Sequence, residues 1–433
     1  MDAVLVGYIG IAVLILALIL RVPVAFSMIL VGLAGSLYLL PPEAAFRLVV
    51  SDIFDKLGSY SLSVMPMFLL MGFFAAATGI TQRLFKVTYD WIGWVRGGVA
   101  QATVIACALF SAVCGSSPAT AAAIGAVAQP EMKKYKYDDK LAVGCIAGAG
   151  SLGPLIPPSG GMIIYGIITE QSIAQLFMAG ILPGIMLTIL FCLATYILCR
   201  RNPSLGPAGP KTTWKQKINS LPGILEAVFI FGLSVGGMFA GLFTPTQAGG
   251  VGAVAALIVG VVRRSITWRK IWDATMETIK VSCMILLLIT GAVVFGHFLS
   301  VSTMPIALIE WIEGLSLHPM VVMAFVCLFY FVGGMFMDAL GLMVFSLPII
   351  YPLVASLGFD LVWFGVISTV LGETGVITPP VGVNVYVLKG LMPDVPLEDM
   401  FKGIIPYLIC IIVALAILQM VPEIALFLPS FIK

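Results

Sequence analysis

Long apolar runs alternate with short charged loops along almost the whole chain. An apolar run of about 18 residues or more can cross the hydrocarbon core of a bilayer as a helix. By that measure the chain holds roughly ten spanning runs, plus two that Gly, Ser and Pro interrupt. Hydrophobic residues make up 60% of the 433 positions and charged residues only 10%. The pattern predicts an all-α polytopic membrane protein with little room for a soluble domain.

Segment 97–130 is predicted to form a hairpin that enters the bilayer and returns to the same side. Its apolar run is interrupted in the middle by CGSSPAT, Cys114 to Thr120. Basic residues flank it at both ends: Arg83, Lys86 and Arg96 before it, and Lys133, Lys134, Lys136 and Lys140 after it. Because basic loops beside membrane segments stay in the cytoplasm, both ends are expected there. The peptide groups of the tip must then face protein or a wet cavity, not lipid.

Proline positions recur along the chain with one spacing. Adding 222 to Pro157 and Pro158 gives Pro379 and Pro380. The same shift relates three further pairs: Pro23 and Pro245, Pro130 and Pro352, and Asp138 and Asp360. Since Gly and Pro fix where helices stop, this recurrence predicts an internal duplication. We expect a first repeat over 1–200, a linker over 201–221 and a second repeat over 222–433.

Each repeat is expected to hold one hairpin and one broken helix. In the first repeat, the hairpin is followed by a helix over 141–168 that GSLGPLIPPSGG interrupts. In the second repeat, the hairpin covers 320–357 with its tip near Phe336 to Gly341, and the broken helix covers 361–389 with its break at GETGVITPPVG. The four breaks would converge at the membrane midplane.

The charge bias inverts between the repeats. The basic loop at 133–140 corresponds to 355–362, which holds no Lys or Arg. The uncharged corner at Pro41 and Pro42 is matched in the second repeat by basic residues: Arg263, Arg264, Arg269 and Lys270. An inverted bias predicts an inverted-topology repeat. Counting helices from an external N-terminus then places both termini outside and the linker in the cytoplasm.

Oxygen-bearing side chains cluster at the four predicted breaks. Half-helix C-termini present carbonyls, which suit Na⁺, and half-helix N-termini present amides, which suit a carboxylate. Hard cations prefer oxygen ligands. The sequence supplies Ser116, Ser117, Thr120, Ser151 and Ser159 in the first repeat, and Asp338, Glu373, Thr374, Thr378 and Asn384 in the second.

Two of these residues, Asp338 and Glu373, are acids within otherwise apolar spans. A charge at bilayer depth is costly, so a functional role is the default interpretation. The alternative is a protonated or hydrogen-bonded acid that only fixes a helix break. For CGSSPAT the alternative is close helix packing by small residues. The duplication of the breaks at matching positions favours the functional interpretation.

Enzyme motifs are absent from the sequence. It contains no HExxH, no phosphate-binding Gly-rich loop followed by Lys, and no GxSxG. The formal charge of +2 gives no indication of nucleic-acid binding. We therefore expect no catalytic residues, and we expect transport driven by an ion gradient because no nucleotide site is visible.

Four motifs carry a resemblance to a known family. They are GSSPATAAAIG at 115–125, AGSLGPLIPPS at 149–159, TPTQA at 244–248 and GETGVITPPVGVNVYV at 372–387. With them the chain resembles, over essentially its whole length, the large membrane (M, DctM-like) subunit of the tripartite ATP-independent periplasmic (TRAP) transporters. One departure is Gln247, where the family usually has Glu.

The resemblance implies a multi-pass protein of the bacterial inner membrane with both termini in the periplasm. It implies Na⁺ as coupling ion, with two or more sites, and a small organic acid such as a C4-dicarboxylate or sialic acid as substrate. It also implies two partners, a separate small four-helix membrane subunit and a periplasmic substrate-binding protein. The hairpins and broken helices would slide as one body in an elevator motion.

The resemblance also implies roles for individual residues. One Na⁺ would bind at the first hairpin and first break, where the candidates are Gly115, Ser116, Ser117, Thr120, Gly153 and Pro154. Another would bind at the second hairpin and second break, where they are Asp338, Gly372, Glu373, Thr374 and Thr378. The substrate would face Ser116, Ser117, Ser159, Asp338 and Asn384.

Other functions stay open on the sequence alone. A stand-alone ion-coupled carboxylate transporter or antiporter of similar build would need no binding protein. A structural membrane protein is a second alternative, and an intramembrane hydrolase is a distant third because no nucleophile and base pair is visible.

Overall fold

The computed structural model describes residues 2–431, and all regular secondary structure in that range is helical. In the first half the α-helices are α1 (Ala3–Ile19), α2 (Val24–Leu39), α3 (Pro42–Leu57), α4 (Val64–Ala77), α5 (Ile80–Ile92), α6 (Gly98–Cys114), α7 (Ser117–Lys134), α8 (Asp139–Gly150), α9 (Gly160–Thr169) and α10 (Ile173–Arg201). In the second half they are α11 (Trp214–Ser220), α12 (Pro222–Phe231), α13 (Gly237–Phe239), α14 (Pro245–Val262), α15 (Trp268–Ser302), α16 (Met304–Gly314), α17 (Pro319–Phe336), α18 (Ala339–Ser356), α19 (Leu361–Ile377), α20 (Val383–Leu391), α21 (Leu397–Met420) and α22 (Glu423–Leu426).

Within the described range, 8 helical segments are long and apolar enough to cross a membrane. They are Tyr60–Ala77, Ile173–Arg201, Trp214–Phe239, Pro245–Val262, Trp268–Ser302, Pro319–Phe336, Ala339–Ser356 and Leu397–Met420. Helices α1 and α2, which the sequence analysis includes among roughly ten spans, have 17 and 16 residues. At 1.5 Å per residue they are about 24–26 Å long, slightly less than the core thickness. The chain is an all-helical, multi-pass membrane protein.

Both predicted hairpins fold as two helices joined by a short break. Helices α6 and α7 are separated by Gly115, whose φ is +68°, and by the extended Ser116. A positive φ favours glycine because it has no Cβ. Pro118 then lies in the first turn of α7, where its missing N–H costs no helical hydrogen bond. Helices α17 and α18 are separated by extended backbone at Met337 and Asp338.

Both predicted broken helices stop before a pair of prolines. Helix α8 ends at Gly150, and α9 begins at Gly160 after Pro157 and Pro158. Helix α19 ends at Ile377, and α20 begins after Pro379 and Pro380. Proline has no N–H to donate and its ring clashes with the preceding turn, so neither helix can continue through the pair.

The helix bounds recur with the spacing found in the sequence. Adding 222 to the bounds of α7, 117 and 134, gives 339 and 356, the bounds of α18. Packing follows the same correspondence. Helix α2 packs on α15, and their counterparts α14 and α4 pack on each other. Likewise α7 packs on α20, and α18 packs on α9. The two halves therefore contact each other through equivalent surfaces.

The two broken helices begin at opposite ends of α21. Near its start, Lys140 Nζ forms an ion pair with Asp399 Oδ1 at 2.9 Å, beside the first turn of α8. Near its end, Leu418 O accepts a hydrogen bond from Trp363 Nε1 of α19 at 2.9 Å. Helix α21 has 24 residues, which is about 36 Å of helix. The starts of α8 and α19 are therefore about one bilayer core apart.

The linker lies against the end of the molecule where α8 begins. Residues 202–213 contain no helix. Asp138 N donates to Leu205 O at 3.0 Å, Gly97 N donates to Gly206 O at 2.9 Å, and Gly209 N donates to Gly93 O at 3.0 Å. The linker thus connects the α5–α6 corner with the turn between α7 and α8, and all three basic segments of the first half meet there.

Candidate functional site

Both hairpin tips and both helix breaks border one cavity of about 850 Å³, which we call the central cavity. The hairpins contribute residues on either side of their breaks, including Gly115, Ser116 and Asp338. Helices α2, α4 and α15 form an apolar wall with residues such as Ala25, Met65, Ile285 and Leu288. The cavity therefore lies between the hairpin and broken-helix region and the remaining helices.

Four helices present their N-termini to the central cavity. The first residues of α7, α9, α18 and α20 line it: Ser117, Gly160, Ala339 and Val383. A helix N-terminus carries a partial positive charge and N–H groups without helical partners. Four of them around one space provide a favourable environment for an anion without any basic side chain.

The charged side chains that line the central cavity in the described structure are both acidic, Asp338 and Glu373. Asp338 is exposed, while Glu373 is only 4% exposed. Two carboxylates would repel an anionic ligand unless cations or protons neutralise them. The cavity can therefore hold an anion and cations together more readily than an anion alone.

The first hairpin tip packs tightly on the first helix break. A Cβ at Gly115 would clash with Pro158 O, and a Cβ at Gly153 would lie 2.6 Å from Ser116 C. Gly160 N donates to Gly115 O at 3.5 Å. Only glycine fits at these two positions, and its absence of a side chain brings backbone carbonyls close together. Such a cluster of carbonyls provides oxygen ligands for a hard cation.

The second hairpin tip is built around Asp338. Its Oδ2 accepts a hydrogen bond from Gly341 N at 2.9 Å, so Asp338 caps α18. An ideal Cβ at Gly372 would lie 3.0 Å from Ala339 Cβ, which places α19 directly against the first turn of α18. The acid thus has a structural role as a cap and remains in contact with the central cavity.

Several predicted ligands have buried oxygens without hydrogen-bond partners. Among residues 2–431 these include Thr120 Oγ1, Glu373 Oε2, Thr378 Oγ1 and Asn384 Oδ1. Buried polar atoms are normally hydrogen-bonded, so each unpaired atom needs an explanation. All four are oxygens at helix breaks, and oxygen is the ligand that Na⁺ requires. The residues present therefore fit the predicted cation sites.

The predicted site residues divide into two groups. Gly115, Ser116, Ser117, Pro154, Asp338 and Glu373 line the central cavity. Those that do not line it are Thr120, Gly153, Ser159, Gly372, Thr374, Thr378 and Asn384. Ser159 is fully buried and caps α9 through a 3.1 Å bond from Met162 N to its Oγ. Thr374 Oγ1 donates to Leu371 O at 2.6 Å.

Other residues of the cavity were missed by the sequence reasoning. Thr369 lines it, and its hydroxyl donates to Gly365 O at 2.8 Å within α19. The apolar wall was missed as well, because its residues belong to continuous apolar spans. Pro23, at the start of that wall, carried a signal in the sequence, since it is one of the residues repeated at a spacing of 222.

Gln247, the departure noted in the sequence, has a structural explanation. It forms a capping box at the start of α14. Gln247 Oε1 accepts from Thr244 N at 3.0 Å, and Thr244 Oγ1 accepts from Gln247 N at 3.4 Å. Glu and Gln serve equally in this motif. The local structure therefore needs no negative charge at this position.

Comparison with known families gives one match over nearly the whole chain. The family is described as "Tripartite ATP-independent periplasmic transporter, DctM component", and its model matches residues 11–424.

Individual relatives are similar over comparable lengths. The C4-dicarboxylate TRAP transporter large permease protein DctM of Pseudomonas aeruginosa is 33% identical over 404 residues, covering 93% of this chain and 94% of the relative. The sialic acid TRAP transporter large permease protein SiaM of Vibrio cholerae is 29% identical and covers 94% and 95%. The isethionate TRAP transporter permease protein DctMQ of Oleidesulfovibrio alaskensis is 30% identical over 95% of this chain but only 64% of its own length.

Among solved structures, the YdaH transporter of Alcanivorax borkumensis has a similar fold. The TM-score is 0.61 at 15% identity, covering 90% of this chain and 91% of the other. This similarity concerns the fold alone.

Proposed function

The chain belongs to the DctM component family of the tripartite ATP-independent periplasmic transporters, and from that premise we propose that it imports a small organic acid in symport with Na⁺. The observation that carries the proposal is the convergence of two hairpin tips and two helix breaks on one cavity. Helix breaks at the membrane midplane are where secondary transporters bind substrate and coupling ions.

An anionic substrate is supported by the four helix N-termini around the central cavity. The relatives named above as permeases for C4-dicarboxylates and sialic acid are consistent with a carboxylate. We propose that Ser116, Ser117 and Asp338 face this substrate, since all three line the cavity. Ser159 and Asn384, buried behind it, would act by holding the breaks in place.

Coupling to Na⁺ follows from the charges. A carboxylate substrate would enter a cavity that already holds two acids, so its binding requires cations. We place one Na⁺ at the first tip and break, with Gly115, Ser116, Thr120, Gly153 and Pro154. We place another at the second, with Asp338, Gly372, Thr374 and Thr378. The unpaired oxygens of Thr120 and Thr378 support these positions.

Inverted repeats and an elevator motion account for the arrangement of helices. The recurrence at 222 residues and the opposite starting ends of α8 and α19 support the inversion. The moving body would comprise α6 to α10 and α17 to α21, sliding against α2, α4, α14 and α15. The wall between these groups is apolar at Ala25, Met65, Ile285 and Leu288, which offers few polar contacts to break during sliding.

The remaining proposals concern location and partners. We place the chain in the bacterial inner membrane, with both termini in the periplasm, because its basic clusters lie at the end where α8 begins. The DctMQ relative is longer than its match to this chain, which supports a small membrane subunit fused there and separate here. A periplasmic binding protein would deliver the substrate.

The test is uptake into proteoliposomes that contain this chain and its small subunit. Labelled C4-dicarboxylate or sialic acid is supplied with the binding protein, with an inward Na⁺ gradient or with choline replacing Na⁺. We expect accumulation only with Na⁺, binding protein and both subunits. Equal uptake in choline would refute Na⁺ coupling. Accumulation by this chain alone would favour the stand-alone transporter instead.

A further inference from the structure

We propose that Glu373, Ser117 and Asn384 form a third cation site, shared by the two repeats and separate from the sites at the hairpin tips. The inference rests on the proposed function and deepens it. It also changes the role of Asn384 from a substrate contact to a cation ligand.

The three side chains meet where α7 of the first repeat contacts α19 and α20 of the second. Asn384 Nδ2 donates to Ser117 Oγ at 2.9 Å and to Ala147 O at 3.0 Å. The Ser117 hydroxyl is also close enough to the Glu373 carboxyl to interact with it. Ser117 therefore lies between the carboxyl group and the amide.

Both ends of this group point unpaired oxygens into the protein. Glu373 Oε2 and Asn384 Oδ1 have no hydrogen-bond partner in the described structure. Asn384 uses its amide nitrogen for both of its hydrogen bonds, which leaves its oxygen available. Glu373, Ser117 and Asn384 are 4%, 2% and 0% exposed, so bulk water does not satisfy these atoms.

Glu373 also needs a compensating charge. An isolated buried carboxylate is strongly unfavourable unless it is paired or neutralised. The ion pairs of the described residues do not include Glu373, and no basic side chain of that range lines the central cavity beside it. A cation held by Glu373 Oε2, Asn384 Oδ1 and Ser117 Oγ would supply both the charge and the missing contacts.

A shared site would also join the two repeats. Ser117 is the first residue of α7, directly after the first hairpin tip, and Glu373 lies in the last turns of α19 before the second break. A cation between them would order both breaks together. Binding of Na⁺ at one tip would then favour binding at the other.

The experiment measures equilibrium ²²Na⁺ binding to the full chain with its small subunit in lipid nanodiscs. The variants are Glu373→Gln, Asn384→Ala and the double variant Glu373→Gln with Asn384→Asp. The control is Ser36→Ala, which removes another buried hydroxyl without a partner, in α2 and outside the cavity lining. Size-exclusion profiles and thermal unfolding establish which variants fold.

We expect Glu373→Gln and Asn384→Ala each to bind one Na⁺ fewer per chain than the wild type, and Ser36→Ala to match the wild type. The double variant restores a carboxylate across the site and should regain the lost ion. Wild-type stoichiometry in Glu373→Gln or, if that variant does not fold, in Asn384→Ala overturns the inference and indicates a protonated or water-bound acid. That result would leave Na⁺-driven uptake intact, whereas wild-type protein without Na⁺-dependent uptake would refute the proposed function itself.

Discussion

The two hairpin tips share a backbone design but differ in chemistry. Ser116 and Asp338 are equivalent positions, 222 residues apart, and each precedes the first residue of a returning helix. Ser116 makes no capping bond, and its tip depends on Gly115 and close backbone packing. Asp338 caps its helix and places a fixed negative charge at the cavity. A duplicated scaffold can thus present a neutral carbonyl-rich site on one side and an acidic site on the other.

The largest effect is expected at the backbone of the first tip. Gly115→Ala puts a Cβ against Pro158 O at a φ of +68°. The left-handed backbone alone costs about 1–2 kcal/mol for a residue with a Cβ. A displacement of about 1 Å at a binding centre can lower a rate about 100-fold, so we expect Na⁺-driven uptake to fall by at least that factor. Proteoliposome uptake checks this.

The matched control is Gly390→Ala in α20, where a Cβ would meet nothing within 4 Å. It should retain wild-type uptake. Near-normal uptake by Gly115→Ala would show that the first tip does not depend on backbone packing.

At the second tip the charge should matter more than the cap. Asp338→Asn keeps a side chain that caps a helix as well as Asp does. Unfolding temperature should therefore change little. Loss of the charge removes a charge-assisted interaction of about 1.5–3 kcal/mol, so the Na⁺ concentration for half-maximal uptake should rise about tenfold or more. Unchanged Na⁺ dependence would reduce Asp338 to a structural cap.

Ser116→Ala should have a smaller effect than Asp338→Asn. It removes one neutral oxygen, a contact of about 1 kcal/mol, and no capping bond is lost. We expect the half-saturating Na⁺ concentration to rise about fivefold, with stability unchanged. An effect as large as that of Asp338→Asn would remove the difference that we draw between the tips.

The smallest effect on transport is expected from Ser159→Ala. Its hydroxyl caps α9, whereas the equivalent position in the second repeat is Val381 and the N-cap of α20 is Gly382. Loss of an N-cap costs about 1 kcal/mol of stability. Thermal unfolding should reveal that loss, while the half-saturating substrate concentration should stay within about twofold. A much larger rise would mean that Ser159 contacts the substrate.

The breaks were predictable from sequence because particular residues enforce them. Gly115 and Pro118 interrupt one hairpin, and the proline pairs interrupt both broken helices. The repeat spacing sharpened these predictions, since one accidental proline seldom has a counterpart. The positions of the breaks therefore follow from local backbone constraints that need no tertiary information.

The directions of individual side chains were not predictable in the same way. Ser159 and Asn384 lie at breaks, where no helical period specifies the side that a residue faces. Ser159 turned to cap α9, and Asn384 bonded Ser117 of the other repeat. The second contact joins residues 267 positions apart, which only tertiary packing can bring together.

The halves also differ in one helix. The first has a break between α3 and α4 at GSYSLS, residues 58–63, whereas the matching region of the second lies inside the continuous α15. Adding 222 to 58 reaches Lys280, where the sequence reads KVSCMI and contains no glycine. Local composition explains the difference, and an expectation based on the repeat alone would have missed it.

Opposite orientation of the two repeats is the claim on which the account depends most. Lys134→Cys and Ser356→Cys place thiols at equivalent positions, the last residues of α7 and α18, and both positions are exposed. The direct measurement is labelling by a membrane-impermeant maleimide in right-side-out and inside-out vesicles, in a background where the exposed Cys283 is replaced. The account predicts labelling of position 134 only in inside-out vesicles and of position 356 only in right-side-out vesicles. Labelling of both positions from the same side would contradict it.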